Sequence, residues 1–502
     1  MNLTRRKFVQ NVAVGSAAFA LASRLRGADH GPVTKRPNLL FIMTDQHRSD
    51  VMPHAGNTVI QAPNLAALAK KSFVFSDAYC TEPVCTPSRG SIFTGLMPHN
   101  HRSIVCDISL SAEFKSIAEY MPPEYATAYM GKWHLGDELV AQHGFKEWIS
   151  VEDLIHRDNN TKPEYLKLRS SYHQFLLRNG FPPDTTDPID NARLFSFGMQ
   201  ATMSPQYSRA RFLGSEAERF LRERRDGQPF VLALSIPEPH PPIWGPYNDR
   251  YQPGQIPTGP SFGKPVGEDA ARLHRRIGER FRTNGYDGHS MDDLDGLRRV
   301  AANYYGLITL ADEAIGGVLR ALEESGQAEN TIVVFTADHG EMLGEHAMMG
   351  KLVMYEGAVR VPLMIHVPWL SNGQLTLKGP ISLVDLTPTL LELMGREIPA
   401  VLDGRSRAGA LREPGTWRAE NIVVEWNDFS DRRTDCRSLV TTDGWKLNTY
   451  RDDHPECFNL NLDPHEMNNL ARDPGTRDRM RQLYDSARDW QGRHRDLMPL
   501  AG

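Results

Sequence analysis

The 502-residue sequence is poor in cysteine, carries little net charge and has no long apolar run after its first thirty residues. Its five cysteines, Cys80, Cys85, Cys106, Cys436 and Cys457, include no C-x-x-C pair, which excludes a zinc site built from thiolates. Disulfides in an oxidising compartment and reduced, buried thiols are equally open for them. Lys and Arg number 57 against 62 Asp and Glu, a net charge of −5. That balance excludes a nucleic-acid binder relying on bulk positive charge, and an anionic ligand would need a local basic cluster. No later stretch is apolar enough to form a stable membrane span. There is also no internal repeat, low-complexity tract or coiled-coil signature, which excludes solenoids and fibrous assemblies.

The N-terminus is distinctive. Thr4-Arg5-Arg6-Lys7-Phe8-Val9-Gln10 precedes a small-residue apolar run from Val12 to Ala22, short for a bilayer span. The segment resembles a twin-arginine export signal over residues 1–28, cleaved after Ala22 or Ala28, against the alternative of a frayed basic terminus. It predicts export machinery as a partner and a periplasmic or secreted location.

Three segments contain apolar runs with the form of fully buried parallel strands: Pro37 to Thr44, Phe230 to Ser235, and Thr331 to Ala337. They lead to Asp45-Gln46, His240 and Asp338-His339 respectively, and open α/β sheets collect ligands beyond strand ends of this kind. A helix is expected to begin at a capping Asn64, and another to run from Val300 to Glu324 before Gly326. The alternation predicts an α/β fold with a large, mainly parallel central sheet flanked by helices. Six prolines between Pro241 and Pro260 predict loop. The Arg-rich tract onward to Leu294 reads as a substrate-facing insertion or a tolerated surface insert. After Arg405 the pattern changes to short strands at 421–426, 437–442 and 445–450, the last two joined by Asp443-Gly444. Met480, Leu483, Tyr484, Ala487 and Trp490 then form a helical stripe suited to packing on that sheet. The domains expected are 35–405 and a C-terminal subdomain, 406–502, with a smaller antiparallel sheet plus helix.

Cys85-Thr86-Pro87-Ser88-Arg89-Gly90 suits the opening of a helix whose N-terminus faces an anion. Alone, such a cysteine could be a thiolate nucleophile, a redox sensor or a buried residue. The complete motif, however, resembles that of the type I sulfatase family, in which C-x-P-S-R directs oxidation of the cysteine to formylglycine (3-oxoalanine) by a maturation enzyme. Family-like blocks follow in order: Gly131 to Gly136, Pro239-His240-Pro241-Pro242, Asp338-His339-Gly340, and Gly350-Lys351 with Tyr355-Glu356-Gly357. Weaker echoes lie at Val384 to Thr389, Leu402 to Arg405 and Asn461 to Pro464, and look structural.

The resemblance implies an alkaline-phosphatase-like fold and hydrolysis of sulfate esters, with a sulfated sugar or polysaccharide as the expected substrate. It implies Asp45, Gln46, Asp338, His339 and the oxidised Cys85 as ligands of one divalent cation. Arg89 and Lys132 would stabilise the aldehyde hydrate and the metal shell. His134 is the candidate base, His240 would protonate the leaving alcohol, and Lys351 would hold a sulfate oxygen and the bridging oxygen. Many family members carry two successive aspartates where this chain has Asp45-Gln46. Gln46 brings oxygen without charge and His339 brings nitrogen, so calcium ranks first and manganese or another dication second. The alternative function is hydrolysis of phosphonate, phosphate or choline-sulfate esters on the same fold. Most of the 18 histidines must be bystanders, and His99, His101 and His346 lie near the motifs without an assigned role.

Overall fold

A buried backbone N–H or C=O without a hydrogen-bond partner is costly, and a continuous apolar run meets that need as an interior strand. The computed structural model describes residues 36–106, 108–154, 160–187, 190–224, 227–371, 373–428 and 430–500; the export-like segment lies outside them. Strands run in chain order as β1 (Asn38–Thr44), β2 (Phe73–Tyr79), β3 (Ala126–Gly131), β4 (Glu147–Ile149), the short pair β5 (Thr185–Thr186) and β6 (Arg193–Leu194), then β7 (Phe230–Ile236), β8 (Thr331–Ala337), β9 (Arg360–His366) and β10 (Leu375–Ser382). Eight of them form one sheet in the order β10-β2-β9-β8-β1-β7-β3-β4. Only β9 runs against its neighbours; the other pairings are parallel. This is the mainly parallel sheet expected.

Every residue of β1, β7 and β8 is buried. Alternation divides β1 between two cores, with Leu39, Phe41 and Met43 on one face and Leu40 and Ile42 on the other. Thr44 pairs with Ile236 of β7 and with Ala337 of β8. The three strands therefore end level, and the polar residues that follow them emerge together.

The helices used below are α1 (Pro63–Ala69), α2 (Cys85–Thr94), α3 (Pro98–His101), α4 (Arg209–Glu223), α5 (Arg272–Asn284), α6 (Leu294–Glu324), α7 (Leu386–Leu393) and α8 (Arg477–His494). Two boundaries differ from expectation. Pro63 occupies the first position of α1 and Ala62 precedes it without a side-chain cap, while the Asn64 amide donates to Asp312 at 2.7 Å. Asn64 thus ties α1 to α6 instead of capping it. Helix α6 begins at Leu294, before Val300, because Asp293 caps it by accepting the Gly296 N–H at 2.9 Å. The Arg-rich tract is also more ordered than a loop, since α5 buries Leu273, His274 and Ile277 along one side.

A second sheet, β11 (Ile422–Trp426), β12 (Cys436–Val440), β13 (Trp445–Tyr450) and β14 (Glu456–Asn459), is antiparallel and meandering. Its fourth strand was not expected. Val423, Leu439, Leu447 and Cys457 pack against Leu483, Ala487 and Trp490 of α8, as the stripe predicts. Residues from Arg36 onward form one compact unit. No helix among the described residues is long and apolar enough to cross a membrane.

Candidate active site

The site grows out of four turns at the ends of β1, β3, β7 and β8. After β1, Gln46 takes a left-handed backbone (φ 63), an arrangement that costs about 1 kcal/mol or more for a non-glycine residue. Tyr304 of α6 holds it by donating to the Gln46 carbonyl at 2.6 Å and accepting the Arg48 N–H at 3.0 Å. After β8, Gly340 lies so close to Gly357 that a Cβ would stand 2.1 Å from the Gly357 carbonyl oxygen. At the end of β3, Gly131 (φ 121) lies against Ser235, where a Cβ would fall 1.8 Å from its carbonyl oxygen. Only glycine permits either approach. Past Gly131, His134 is also left-handed (φ 58), and the Glu138 carboxylate accepts the N–H groups of Trp133 and His134.

These turns bring the candidate residues onto the N-terminus of α2. Cys85 Sγ lies 3.2 Å from His339 Nε2, 3.8 Å from Lys132 Nζ and 4.0 Å from Asp45 Oδ1. His134 and His240 also face the Cys85 side chain closely enough to interact with it, and His240 Nδ1 pairs with the Pro241 carbonyl at 2.9 Å. Arg89, wholly buried, spans the two aspartates, with Nε 2.8 Å from Asp338 Oδ2 and an amino group 2.9 Å from Asp45 Oδ2. Its other amino group donates to the Lys132 carbonyl at 2.6 Å and to Ser235 Oγ at 2.9 Å. Lys132 Nζ reaches Asp45 Oδ2 at 2.7 Å. Lys351 Nζ donates to Gln46 Oε1 at 2.6 Å. All ten predicted site residues thus belong to one connected group.

The donor set fits a divalent cation. Asp45, Cys85, Asp338 and His339 each offer a ligand atom within 4.8 Å of the others. Arg89 and Lys132 occupy the Oδ2 oxygens, so the Oδ1 oxygens turn toward His339 Nε2, at 3.9 Å from Asp45 and 3.7 Å from Asp338. Two hard carboxylate oxygens beside one imidazole suit calcium, manganese or a similar ion. The Gln46 carboxamide oxygen stands at the rim of this set, against Lys351.

Charge tunes each group. Burial and the neighbouring Cys85 would raise the Asp45 carboxyl, but Lys132, His240 and Arg89 hold it well below the usual carboxylate range. Burial also disfavours a Cys85 thiolate, yet Lys132, Lys351 and His339 hold that thiol well below its ordinary value. An anion at this position is therefore strongly stabilised. Burial lowers His240, and Lys132 and Lys351 lower it further. His339 moves the other way: burial opposes its protonation, but Asp338 raises it.

Several buried groups near these turns escaped the sequence reading. Glu341 accepts the Leu343 N–H at 2.9 Å, the Gly350 N–H and the Gln46 amide. It locks Gln46 and the turn before Lys351 into one arrangement. Its position two residues past His339 was the available signal. Glu138, raised to about 7 by burial, does the same for His134. The unassigned histidines prove structural. His101 Nε2 packs against Ser91 Oγ (3.2 Å) and the Pro87 carbonyl (3.1 Å), His99 pairs with Glu425 at 2.5 Å, and His346 stacks on Tyr355. Cys80, Cys436 and Cys457 are buried thiols.

Comparison with known proteins agrees with this geometry. The family described as Sulfatase matches residues 37–396, and that described as N-sulphoglucosamine sulphohydrolase, C-terminal, matches 344–492. The chain is 29% identical to a multifunctional alkaline phosphatase superfamily protein, PehA, of Trinickia caryophylli, over 92% of this chain and 96% of the relative. It is 28% identical to an ulvan-active sulfatase of Formosa agariphila, over 88% of this chain and 78% of the relative. The phosphonate monoester hydrolase of Agrobacterium radiobacter shares its fold, with a TM-score of 0.74 at 22% identity over 91% of this chain and 96% of the other. With the sulfatase match covering well over half its length, the chain belongs to the type I sulfatase family of the alkaline-phosphatase-like superfamily and is a sulfuric ester hydrolase.

Proposed function

We propose that this protein is an exported sulfatase that removes sulfate from a sulfated saccharide, using Cys85 after its oxidation to formylglycine by a maturation enzyme. The convergence of Lys132, His134, His240 and His339 on the Cys85 side chain carries this reading. The matches to a sulphoglucosamine sulphohydrolase C-terminal region and to an ulvan-active sulfatase support a carbohydrate substrate. The twin-arginine-like N-terminus supports a periplasmic or secreted location.

A sulfate ester is an anion, so attack on its sulfur requires cations, oriented donors and a protonated leaving group. Asp45, Gln46, Asp338 and His339 would hold the dication, calcium before manganese, which when bound supplies positive charge that favours ionisation of a nearby hydroxyl. The aldehyde at position 85 hydrates to a geminal diol, and the surroundings that lower the thiol stabilise one of its hydroxyls as an alkoxide. That oxygen attacks sulfur, and the bond from sulfur to the ester oxygen breaks. His240 delivers a proton to the departing alcohol. In the free protein its proton affinity is depressed by burial, Lys132 and Lys351; a sulfate seated among these groups offsets the lysines and restores the acid form. Lys351 steadies the sulfate oxygens. His134 then takes the proton of the remaining hydroxyl, the carbonyl re-forms, and the bond from that carbon to the sulfated oxygen breaks to release sulfate. Water restores the diol.

Initial rates on an aryl sulfate, an aryl phosphate and an aryl phosphonate test the assignment. A higher kcat/KM for the sulfate ester is expected. Preference for phosphate or phosphonate would move the protein to the alternative activity on the same fold.

A further inference from the structure

A cavity of about 350 Å³ opens between the end of α3, the second sheet and the chain after α8, and arginine dominates its wall. Arg102, Arg432, Arg437, Arg451 and Arg495 line it, against one carboxylate, Asp496. Their counter-charges are too few or too far to neutralise them. Arg432 and Arg451 share a single oxygen of Asp435, at 3.0 and 2.9 Å. Among the described residues, the carboxylates paired with Arg102 and Arg495, 75% and 70% exposed, stand at 3.6 and 3.8 Å. Contacts this long from solvated guanidinium groups are worth little, so both groups are available. Arg437 is different, because Asp496 holds it at 2.8 Å.

The cavity is linked to the segment that leads into the nucleophile. Asn427 lines it, and the same residue donates its backbone N–H and side-chain amide to Glu82 at 3.0 and 2.9 Å. Glu82 precedes Cys85 by three residues, a span of at most about 10 Å. Ile104, two residues before Cys106, also lines the cavity. A second charged group on the same saccharide could then reach the cavity while the first lies at Cys85. From α5, Arg276 pairs with Asp428, beside Asn427.

We propose that this cavity is a second anion site, where Arg102 and Arg495 with the Arg432–Arg451 pair bind a sulfate or carboxylate group of the substrate other than the one being cleaved. Planar guanidinium groups match both anions bidentately. The enzyme would then prefer multiply anionic saccharides to singly sulfated ones. The inference rests on the saccharide reading above, and affinity separates the two.

The test uses Cys85→Ala protein, which keeps substrates intact, and the same protein carrying Arg102→Gln with Arg495→Gln. Calorimetry would compare disulfated disaccharides of heparin, chondroitin sulfate and carrageenan with their monosulfated counterparts. At least one disulfated form should bind about tenfold more tightly than its counterpart, and that advantage should vanish in the double variant. With Cys85 restored, the double variant should raise KM for that disaccharide about tenfold and leave kcat/KM for 4-nitrophenyl sulfate unchanged. Equal affinity for all pairs in the parent, or an advantage that survives both substitutions, would overturn the second site. Absence of sulfate release from any saccharide by protein with intact Cys85 would instead overturn the saccharide reading, while leaving the affinity comparison readable.

Discussion

The two sheets of this protein both bury charge, but they use it in opposite ways. At the ends of β1 and β8, Arg89 and Lys132 neutralise one oxygen of each aspartate and leave the other turned inward, beside His339 and Cys85. On the second sheet, Glu425 meets His99 and Arg437, and Arg437 closes on Asp496. The first network keeps ligand positions open for chemistry, whereas the second spends its charges on one another. Burial alone therefore does not mark an active site; what marks it is the convergence of Asp45, Cys85, Asp338 and His339 donor atoms on one point.

The sharpest break in that comparison is at the cysteines. Cys85→Ala is expected to lower sulfate release by about 10⁴-fold or more, whereas Cys457→Ala should leave it intact and cost stability alone; steady-state assays and urea melts check both. Cys85→Ser should fail as well, since a serine ester lacks the second hydroxyl that expels sulfate. Next, Asp45→Asn leaves Lys132 and Arg89 buried without their shared partner. A loss of turnover near 10³-fold is expected, together with about 3 kcal/mol of stability. Chelator should then lower the melting temperature of the parent but not of the variant.

Glu341→Gln sharpens the comparison by touching no ligand atom directly. Because Glu341 fixes the Gln46 amide and the turn before Lys351, dication affinity should fall about 10- to 100-fold, read by competition with a chelating dye. Glu425→Gln probes the closed network, with no change in turnover of an aryl sulfate. Burial opposes protonation of His99, but Glu425 raises it to about 9. That contribution is complete below about pH 6.5 and is lost as pH rises through 9. The stability gap between parent and variant should therefore reach up to about 3 kcal/mol near pH 6 and narrow above pH 9, measured by denaturant titration.

Legibility in the sequence followed the range of the interaction. Asp45, Asp338 and His339 were readable because each follows an apolar run that only a buried strand satisfies, and Cys85 because its motif is contiguous. The helical stripe of α8 was readable for the same local reason. Glu341 and Glu138 were not, since their roles depend on amides donated by turns that meet only in the folded chain. Asn64 misled because Pro63 already opens α1, freeing the side chain for Asp312. The α5 segment was hidden by its arginines, although Leu273 and Ile277 stand one turn apart on its buried side. No pattern in the sequence joined Arg102, Arg432, Arg451 and Arg495, whose meeting requires the second sheet to dock beside α3.

The central claim is that Cys85 acts as an oxidised residue inside the Asp45, Asp338 and His339 cluster. Mass spectrometry of the peptide containing Cys85, taken from protein that releases sulfate, tests it most directly. The account predicts the mass of the aldehyde or its hydrate, in a fraction that rises in step with specific activity across preparations. An unmodified thiol in fully active protein would contradict it.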